Sequence, residues 1–395
     1  MSKKFNLIFI TIDGARQDRL GISKELIDIT KKGVYFSQMM TCAPYTLASM
    51  HAIFSGMYPT KNGVDAYYSM FKFKKAQCKT LTEYFKEHGY HTKGDFLNDA
   101  TMPEQGFDEF TVHDENKDDL LVLHKRYLSE MAELKKKGKN FFLYLHYSNI
   151  HTETIKNVVK KYSDFDDEYF DNYEKNVENY NGYLINAGIY AKQIYETIDK
   201  LGLLKNSLVV FISDHGISNG EKKGERVYGS FLYDYTMKSF AVFIFPESAD
   251  KGKEVVELTK TIDVMPTLLD FFGFAEDDSY ENMQGSSLLP LMKGKEMSKR
   301  IAFAETGGLF GPWPSRYKPN VRCVRTNKWK LIHNESPDTW ELYDLEKDKS
   351  EKKNVIAENS GIGEELKEEL NKILVDCNKS KIDIPNELIS EGIKK

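Results

Sequence analysis

The chain has 395 residues, of which 41% are hydrophobic and 29% charged, which is ordinary usage for a globular protein. Its 55 basic and 60 acidic residues give a net charge of -5, so the composition excludes a general nucleic-acid binder. No apolar run reaches the roughly 18 residues of a membrane-spanning helix, so we expect no stable membrane insertion.

Strand-like and helix-like segments alternate along the first two thirds of the chain. Short, continuously apolar runs predict buried strands at residues 7–12, 141–146, 208–213 and 240–245. Apolar spacing near 3.6 residues predicts helices at 80–88, 120–134 and 187–201. The acidic, aromatic segment 164–183 is either a solvated helix face or a lid near the site. The alternation predicts an α/β fold, with a mixed, mostly parallel sheet sandwiched by helices.

The last third of the chain has a different pattern. Residues 323–332 and 340–345 predict two strands separated by a turn, which is a hairpin suited to a small antiparallel sheet. Residues 361–375 predict a terminal amphipathic helix. We therefore expect a large domain at 1–300 and a small antiparallel subdomain at 301–395 packed on it.

The cysteines and the N-terminus bear on location. The four cysteines show neither a CxxC pair nor a zinc spacing, which favours free thiols in a reducing compartment. The first apolar run is short and ends in Asp13 without a small-residue cleavage site, so it indicates a strand rather than a signal peptide. The expected location is cytoplasmic.

Polar residues stand where the predicted strands end. Asp13 follows the first strand, His146 ends the second, and Asp214 with His215 follows the third. In open parallel sheets the carboxyl ends of the strands form the ligand site. Carboxylate and imidazole ligands suit a divalent metal, and a cation would relieve the repulsion between two acids. Thr46 adds a hydroxyl at the start of an apolar helix, although it is also an ordinary capping residue.

These motifs resemble the sulfatase branch of the alkaline phosphatase superfamily. The segment 12–21 (IDGARQDRLG) looks like its first metal-binding strand and turn, 54–59 (FSGMYP) like the close of its nucleophile helix, and 212–216 (ISDHG) like its second metal motif. Further segments resemble it in the same order at 106–110, 146–151, 261–269, 285–290, 324–332 and 341–345. The resemblance implies an alkaline-phosphatase-like fold.

The nucleophile position departs from the sulfatase pattern. A sulfatase carries Cys or Ser there, then Pro or Ala, then Arg, and converts the first residue to formylglycine. Counting back from Pro59 puts Thr46 at that position and Met50 where the Arg belongs. Relatives that act on phosphate esters use Thr. The resemblance thus implies a metal-dependent hydrolase or transferase that cleaves a phosphate ester, with a diester expected, through a phosphorylated Thr46. The alternatives are a sulfuric ester hydrolase without formylglycine and an inactive binding module.

The resemblance also implies the metal shell. Many sulfatases have two adjacent Asp residues at the first strand, where this chain has one, and no His occurs in residues 217–240 to build a second site. We expect one divalent ion, Zn, Mn or Ca, held by four residues, namely Asp13, Thr46, Asp214 and His215.

Three further residues are implied for the substrate. His151 resembles the family His that contacts the substrate or leaving group, and its alternative is a surface-loop His. Lys223 and Lys238 follow the Asp-His motif where relatives place a cation, and each is otherwise a solvated lysine. The expected partner is an anionic small-molecule or glycan phosphate or sulfate ester. The oligomeric state stays open.

Overall fold

The predicted apolar runs form the centre of a nine-stranded sheet. The computed structural model describes residues 4–246, 251–295 and 300–381, so parts of both predicted domains, such as 1–3 and 382–395, lie outside the described residues. The strands of this sheet are, in chain order, β1 (Asn6–Ile12), β2 (Val34–Met40), β3 (His91–Phe96), β4 (Glu109–Val112), β5 (Phe141–Tyr147), β6 (Ser207–Ile212), β7 (Lys238–Ile244), β8 (Lys253–Val255) and β9 (Thr259–Lys260).

The sheet is mixed and mostly parallel, as predicted. Its order is β4-β3-β5-β1-β6-β7-β2-β8, with β9 beside β2. Pairing is parallel from β4 to β6 and antiparallel where β7 joins β6 and β2. β1 therefore lies between β5 and β6, and the carboxyl ends of these three strands meet at one edge.

Helices cover both faces of the sheet. They are α1 (Lys24–Thr30), α2 (Thr46–Ser55), α3 (Pro59–Asn62), α4 (Leu81–Glu87), α5 (Leu120–Lys136), α6 (Asn149–Thr154), α7 (Asp167–Asp171), α8 (Tyr173–Lys200), α9 (Asp234–Met237), α10 (Val264–Phe272), α11 (Leu289–Met292) and α12 (Ser360–Asn378). Within β1, Ile8 and Ile10 pack in a core with α1, α5 and α8, whereas Leu7 and Phe9 pack in another with α2, α4 and α10. Side chains alternate across a strand, so a strand covered on both faces must be apolar throughout.

The C-terminal third forms a second, antiparallel sheet. Its strands, in spatial and chain order, are β10 (Ala302–Thr306), β11 (Val321–Arg325), β12 (Trp329–Asn334) and β13 (Thr339–Asp344). The single strand predicted at 323–332 is wrong. The Thr326 hydroxyl accepts the N–H groups of Lys328 and Trp329, and this local turn divides the segment into β11 and β12. The predicted terminal helix is confirmed as α12. The division at residue 300 stays a prediction.

No helix within the described ranges combines the length and the apolar character that crossing a membrane requires. The acidic segment 164–183 contains α7 and the first part of α8.

Candidate active site

Three strand ends bring polar side chains together at one edge of the large sheet. Asp13 follows β1 and continues its pairing with β5, because its N–H donates to the carbonyl of Tyr147 at 3.1 Å. His146 lies near the end of β5, and Asp214 follows the end of β6 with one residue, Ser213, between them. Asp13, His146 and Asp214 are fully buried. The parallel pairing of β5, β1 and β6 is therefore what gathers residues that are far apart in the chain.

Helix α2 presents Thr46 to this edge. All ten residues of α2 are buried, and the Ser49 hydroxyl ties the helix to β6 by donating to the Asp214 carbonyl at 2.8 Å. The Thr46 hydroxyl donates to Asp13 Oδ2 at 3.2 Å and lies 3.2 Å from His215 Nε2. Thr46 is 7% exposed, so its hydroxyl lies at the boundary between the buried carboxylates and solvent.

The donor set around Thr46 fits a divalent cation. Asp13, Asp214 and His215 each offer one ligand atom within 4.8 Å of the others. Asp13 Oδ1 and Asp214 Oδ2 are buried and make no hydrogen bond within the part of the chain that is described. His215 Nδ1 donates to the Gly216 carbonyl at 2.7 Å, which leaves Nε2 as the ligand nitrogen. Buried carboxylate oxygens without a partner are costly unless a cation neutralises them.

The two carboxyl groups differ in their pKa. Burial raises the pKa of both, and the neighbouring charge of Asp13 raises that of Asp214 further. For Asp13, attraction to His151 and the hydrogen bond from His146 outweigh burial and lower the pKa below its usual range. Two like charges that share a site move apart in this way. A cation bound between the two carboxylates would relieve their repulsion.

Gly14 leaves no room for a second carboxylate next to Asp13. Its φ is +74°, and an added Cβ would lie 2.6 Å from Ile217 Cδ1. Its N–H instead donates to Asp214 Oδ1 at 3.1 Å. A second aspartate at this position would be strained in the backbone and would clash, so the donor set ends at Asp13, Asp214 and His215 together with Thr46.

Sequence reasoning missed the part that His146 plays. Its Nε2 donates to Asp13 Oδ2 at 3.1 Å, while its Nδ1 accepts from the Tyr144 hydroxyl at 2.8 Å. His146 therefore orients the carboxylate of Asp13. Its place at a strand end was the signal available in the sequence, but nothing there showed that it faces Asp13.

His151 is brought to the same site by α6. Its Nδ1 lies 3.9 Å from Asp13 Oδ2 and 3.2 Å from the Tyr228 hydroxyl, and its side chain is 17% exposed. The Tyr228 ring also lies 5.0 Å from the His215 ring, between centroids. Tyr228 was not a candidate from the sequence, because it lies in a loop with no motif of its own.

The structure does not bring the two lysines to this cluster. Lys223 is exposed over 68% of its side chain and forms an ion pair with Asp167. Lys238 begins β7 and faces Asp18 and Asp234 in a separate cleft of about 890 Å³. The described residues show no hydrogen bond from either lysine to the metal donors. Their assignment to the substrate stays a prediction.

The candidate metal donors lie at the edge of a mixed α/β sheet, and comparison with family models identifies the family of the chain. The family model described as "Sulfatase" matches residues 6–274, and one described as "N-sulphoglucosamine sulphohydrolase, C-terminal" matches 226–379. The first match covers well over half of the 395 residues, so the chain belongs to the sulfatase family.

Curated relatives match part of the chain. It is 29% identical over 192 residues to a Delta 4,5-hexuronate-2-O-sulfatase of Bacteroides thetaiotaomicron, covering 46% of this chain and 38% of that protein. It is 24% identical over 329 residues to an ulvan-active sulfatase of Formosa agariphila, covering 75% and 59%. The chain thus spans less than two thirds of the length of these relatives.

Solved structures share the fold over nearly the whole chain. A 2-O GAG sulfatase superposes with a TM-score of 0.77 at 20% identity, covering 97% of this chain and 96% of the other. A phosphonate monoester hydrolase of Agrobacterium radiobacter gives 0.74 at 16% identity, covering 95% and 96%. The alkaline-phosphatase-like fold expected from the resemblance is confirmed.

The expectation of phosphate diester cleavage through a phosphorylated Thr46 is wrong. The curated relatives and most of the structural neighbours are sulfatases, and they favour the sulfuric ester alternative. The departure at Thr46 had suggested a phosphate ester, but one residue at the nucleophile position does not define the atom that is attacked, since both esters present a tetrahedral anion.

Proposed function

We propose that this chain is a metal-dependent sulfuric ester hydrolase that works without formylglycine. One observation carries the proposal: two buried carboxylate oxygens without partners, Asp13 Oδ1 and Asp214 Oδ2, lie beside His215 Nε2 and the Thr46 hydroxyl. An inactive binding module has no need of this arrangement. Membership of the sulfatase family and the sulfatases among its relatives support the sulfate ester over other anionic esters.

Asp13, Asp214 and His215 would hold the cation, with Thr46 at its edge. A divalent ion there would polarise a sulfate oxygen and neutralise the two carboxylates. His146 keeps Asp13 oriented through its 3.1 Å hydrogen bond. Oxygen and nitrogen donors together are compatible with zinc or manganese, and two carboxylates also with calcium.

Thr46 is the nucleophile in this proposal. Its Oγ1 attacks sulfur, and the bond from sulfur to the substrate alcohol breaks. The Thr46 proton passes to Asp13 Oδ2, which lies 3.2 Å away. Water then attacks the sulfated threonine and the bond between sulfur and Oγ1 breaks. The proton on Asp13 Oδ2 returns to Oγ1, one proton of the attacking water goes to His151, and sulfate leaves with both residues restored. At the N-terminus of α2 the positive end of the helix dipole favours the anion.

His151 supplies the proton that the leaving alcohol needs. When the Tyr228 hydroxyl accepts from Nδ1–H at 3.2 Å, a protonated His151 can give up its Nε2 proton and remain a neutral imidazole. Its partial exposure allows a substrate oxygen to reach it. In this arrangement Tyr228 orients the ring and His151 acts as the general acid.

The substrate class that we propose is a small sulfated saccharide or another anionic sulfate ester. One structural neighbour was solved with its substrate D-glucosamine-2-N,6-O-disulfate, and its TM-score with this chain is 0.74. The cytoplasmic location stays a prediction from the free thiols, which are all buried.

A substrate panel tests the proposal. The purified protein, loaded in turn with Zn, Mn and Ca, is assayed on nitrophenyl sulfate, nitrophenyl phosphate, bis-nitrophenyl phosphate and D-glucosamine sulfates. We expect sulfate release that chelation abolishes and metal restores. Phosphate diester cleavage without sulfate release, or sulfate release that survives chelation, would contradict it.

A further inference from the structure

A second cleft lies between the two sheets, apart from the candidate active site. It measures about 890 Å³, and none of the metal donors or Thr46 lines it. Lys238 enters it from the start of β7 in the large sheet, and Arg325 enters it from the end of β11 in the small sheet. The cleft therefore depends on how the two sheets are packed together.

The floor of this cleft has more positive than negative charge. Asp234 accepts from Lys330 Nζ at 2.9 Å and from Arg325 Nη2 at 3.2 Å, and Glu351 forms an ion pair with Lys330 at 2.9 Å. Lys238 is a third cation, near Asp234, and within the described chain it makes no hydrogen bond or ion pair. The Nε atom of Arg325 is also buried without a partner.

The other acids of the cleft are already paired. Asp18 and Glu221 both bind Arg16, whose side chain is 4% exposed, and Glu346 binds Lys328. Two exposed lysines, Lys349 and Lys352, line the rim and make no ion pair in the described residues. Within the described residues, no carboxylate of the cleft forms an ion pair with Lys238.

A half-buried cation without an acceptor is unfavourable. Burial lowers the pKa of Lys238, which is the direction expected when no anion holds the proton in place. Buried charges in proteins are normally paired or bind a ligand of opposite charge. A lysine and an arginine side by side, with a further lysine at the rim, suit the several acceptor oxygens of a tetrahedral anion.

We propose that this cleft binds a sulfate-type oxyanion, with Lys238 as the central contact and Lys349 at the rim. The choice of sulfate rests on the proposed function, whereas the need for an anion does not. The sulfate group has two sources: free sulfate, the product of the proposed reaction, or a second sulfated sugar of a longer substrate.

Thermal unfolding with added anion tests this site by binding rather than by turnover. Inorganic sulfate is titrated at constant ionic strength against sodium chloride, in wild-type protein and in three variants: Lys238→Met, Asp214→Ala and Lys205→Met. Saturable stabilisation by sulfate is expected in the wild type. It should persist in Asp214→Ala, which lacks the metal site, and in Lys205→Met, an exposed lysine outside the cleft.

Lys238→Met should weaken sulfate binding by about tenfold or more, because a charged hydrogen bond is lost. Lys349→Ala, on the exposed rim, should weaken sulfate binding severalfold. This variant replaces Lys238→Met in the test if Lys238→Met does not fold. The proposal would be overturned if Lys238→Met, or Lys349→Ala in its place, folded and bound sulfate with unchanged affinity. Loss of all sulfate binding in Asp214→Ala would also overturn it. The proposal would also be overturned if sulfate stabilised the protein no more than chloride does at the same ionic strength.

A second titration identifies the source. A sulfated disaccharide is compared with its unsulfated form and with inorganic sulfate. Tighter binding of the sulfated disaccharide, lost in Lys238→Met, supports a sugar sulfate. If the sulfated disaccharide and inorganic sulfate bind with equal affinity, and both lose binding in Lys238→Met, free sulfate is the ligand. Binding of the unsulfated disaccharide with the same affinity would contradict an oxyanion site. If the substrate panel shows no sulfate hydrolysis, these binding results still stand. The proposed function and the proposed anion site can therefore be refuted independently.

Discussion

Replacing Thr46 by valine separates its chemical role from its structural one. Valine has nearly the same shape as threonine and lacks the hydroxyl, so the change leaves no cavity in the buried helix α2. Within the described residues, the hydrogen-bonding contacts of this hydroxyl are both at the site, at 3.2 Å to Asp13 Oδ2 and 3.2 Å to His215 Nε2. The N-cap of α2 is Tyr45, so no helix cap is lost.

The two roles differ widely in magnitude. Losing one buried hydrogen bond costs about 1 kcal/mol of folding stability. Losing a nucleophile lowers turnover by about 10³- to 10⁶-fold, which corresponds to about 4–8 kcal/mol in the barrier. Thr46→Ser keeps the oxygen and loses one methyl group, so its turnover should stay within about tenfold of wild type.

The assay is steady-state hydrolysis of nitrophenyl sulfate at saturating metal, with metal content and thermal unfolding measured on the same samples. Thr46→Val should keep its fold and bind metal while turnover collapses. Intact mass of the wild type should show threonine, not an oxidised residue, at position 46. Turnover of Thr46→Val within tenfold of wild type, with metal bound, would refute the nucleophile assignment.

Three other changes have defined outcomes. Asp214→Asn should lower metal affinity by more than about 100-fold in a metal titration. Near neutral pH, its metal-free form should unfold at a higher temperature than the metal-free wild type, because the repulsion between residue 214 and Asp13 is removed. His146→Ala should lower metal affinity by about 10- to 100-fold, and excess metal should restore turnover. If excess metal did not restore turnover, His146 would do more than orient Asp13. Burial raises the pKa of Glu225 to about 7, from 4.5. Between these values the unfolded chain binds fewer protons than the folded one, so the free energy of unfolding falls as pH rises, by about 3 kcal/mol in all. In urea unfolding between pH 5 and 8, the free energy of unfolding of Glu225→Gln should lack this fall. If it fell with pH in parallel with that of the wild type, burial of Glu225 would not be the cause.

Local sequence was enough for the four central strands of the nine-stranded sheet and for the metal-donor residues. The run at 7–12 is apolar at every position because β1 is covered by helices on both faces, and that pattern needs no tertiary information. Asp13, Asp214 and His215 could be found because parallel strands end at one edge. The assignment of Thr46 came from the family resemblance, by counting back from Pro59 to the nucleophile position. The small sheet was harder, since the turn at Thr326 depends on a hydroxyl that accepts two N–H groups.

Tertiary structure decided which residues join the site and which do not. His146 and Tyr228 reach it through strand pairing and loop packing across long stretches of chain, for which the sequence carries no period. Lys223 and Lys238 follow the same motif, yet one is exposed and the other lies in the cleft between the sheets. Periodicity reports which face of an element is buried. The direction of a side chain within a site depends on contacts between elements, and only the folded chain contains them.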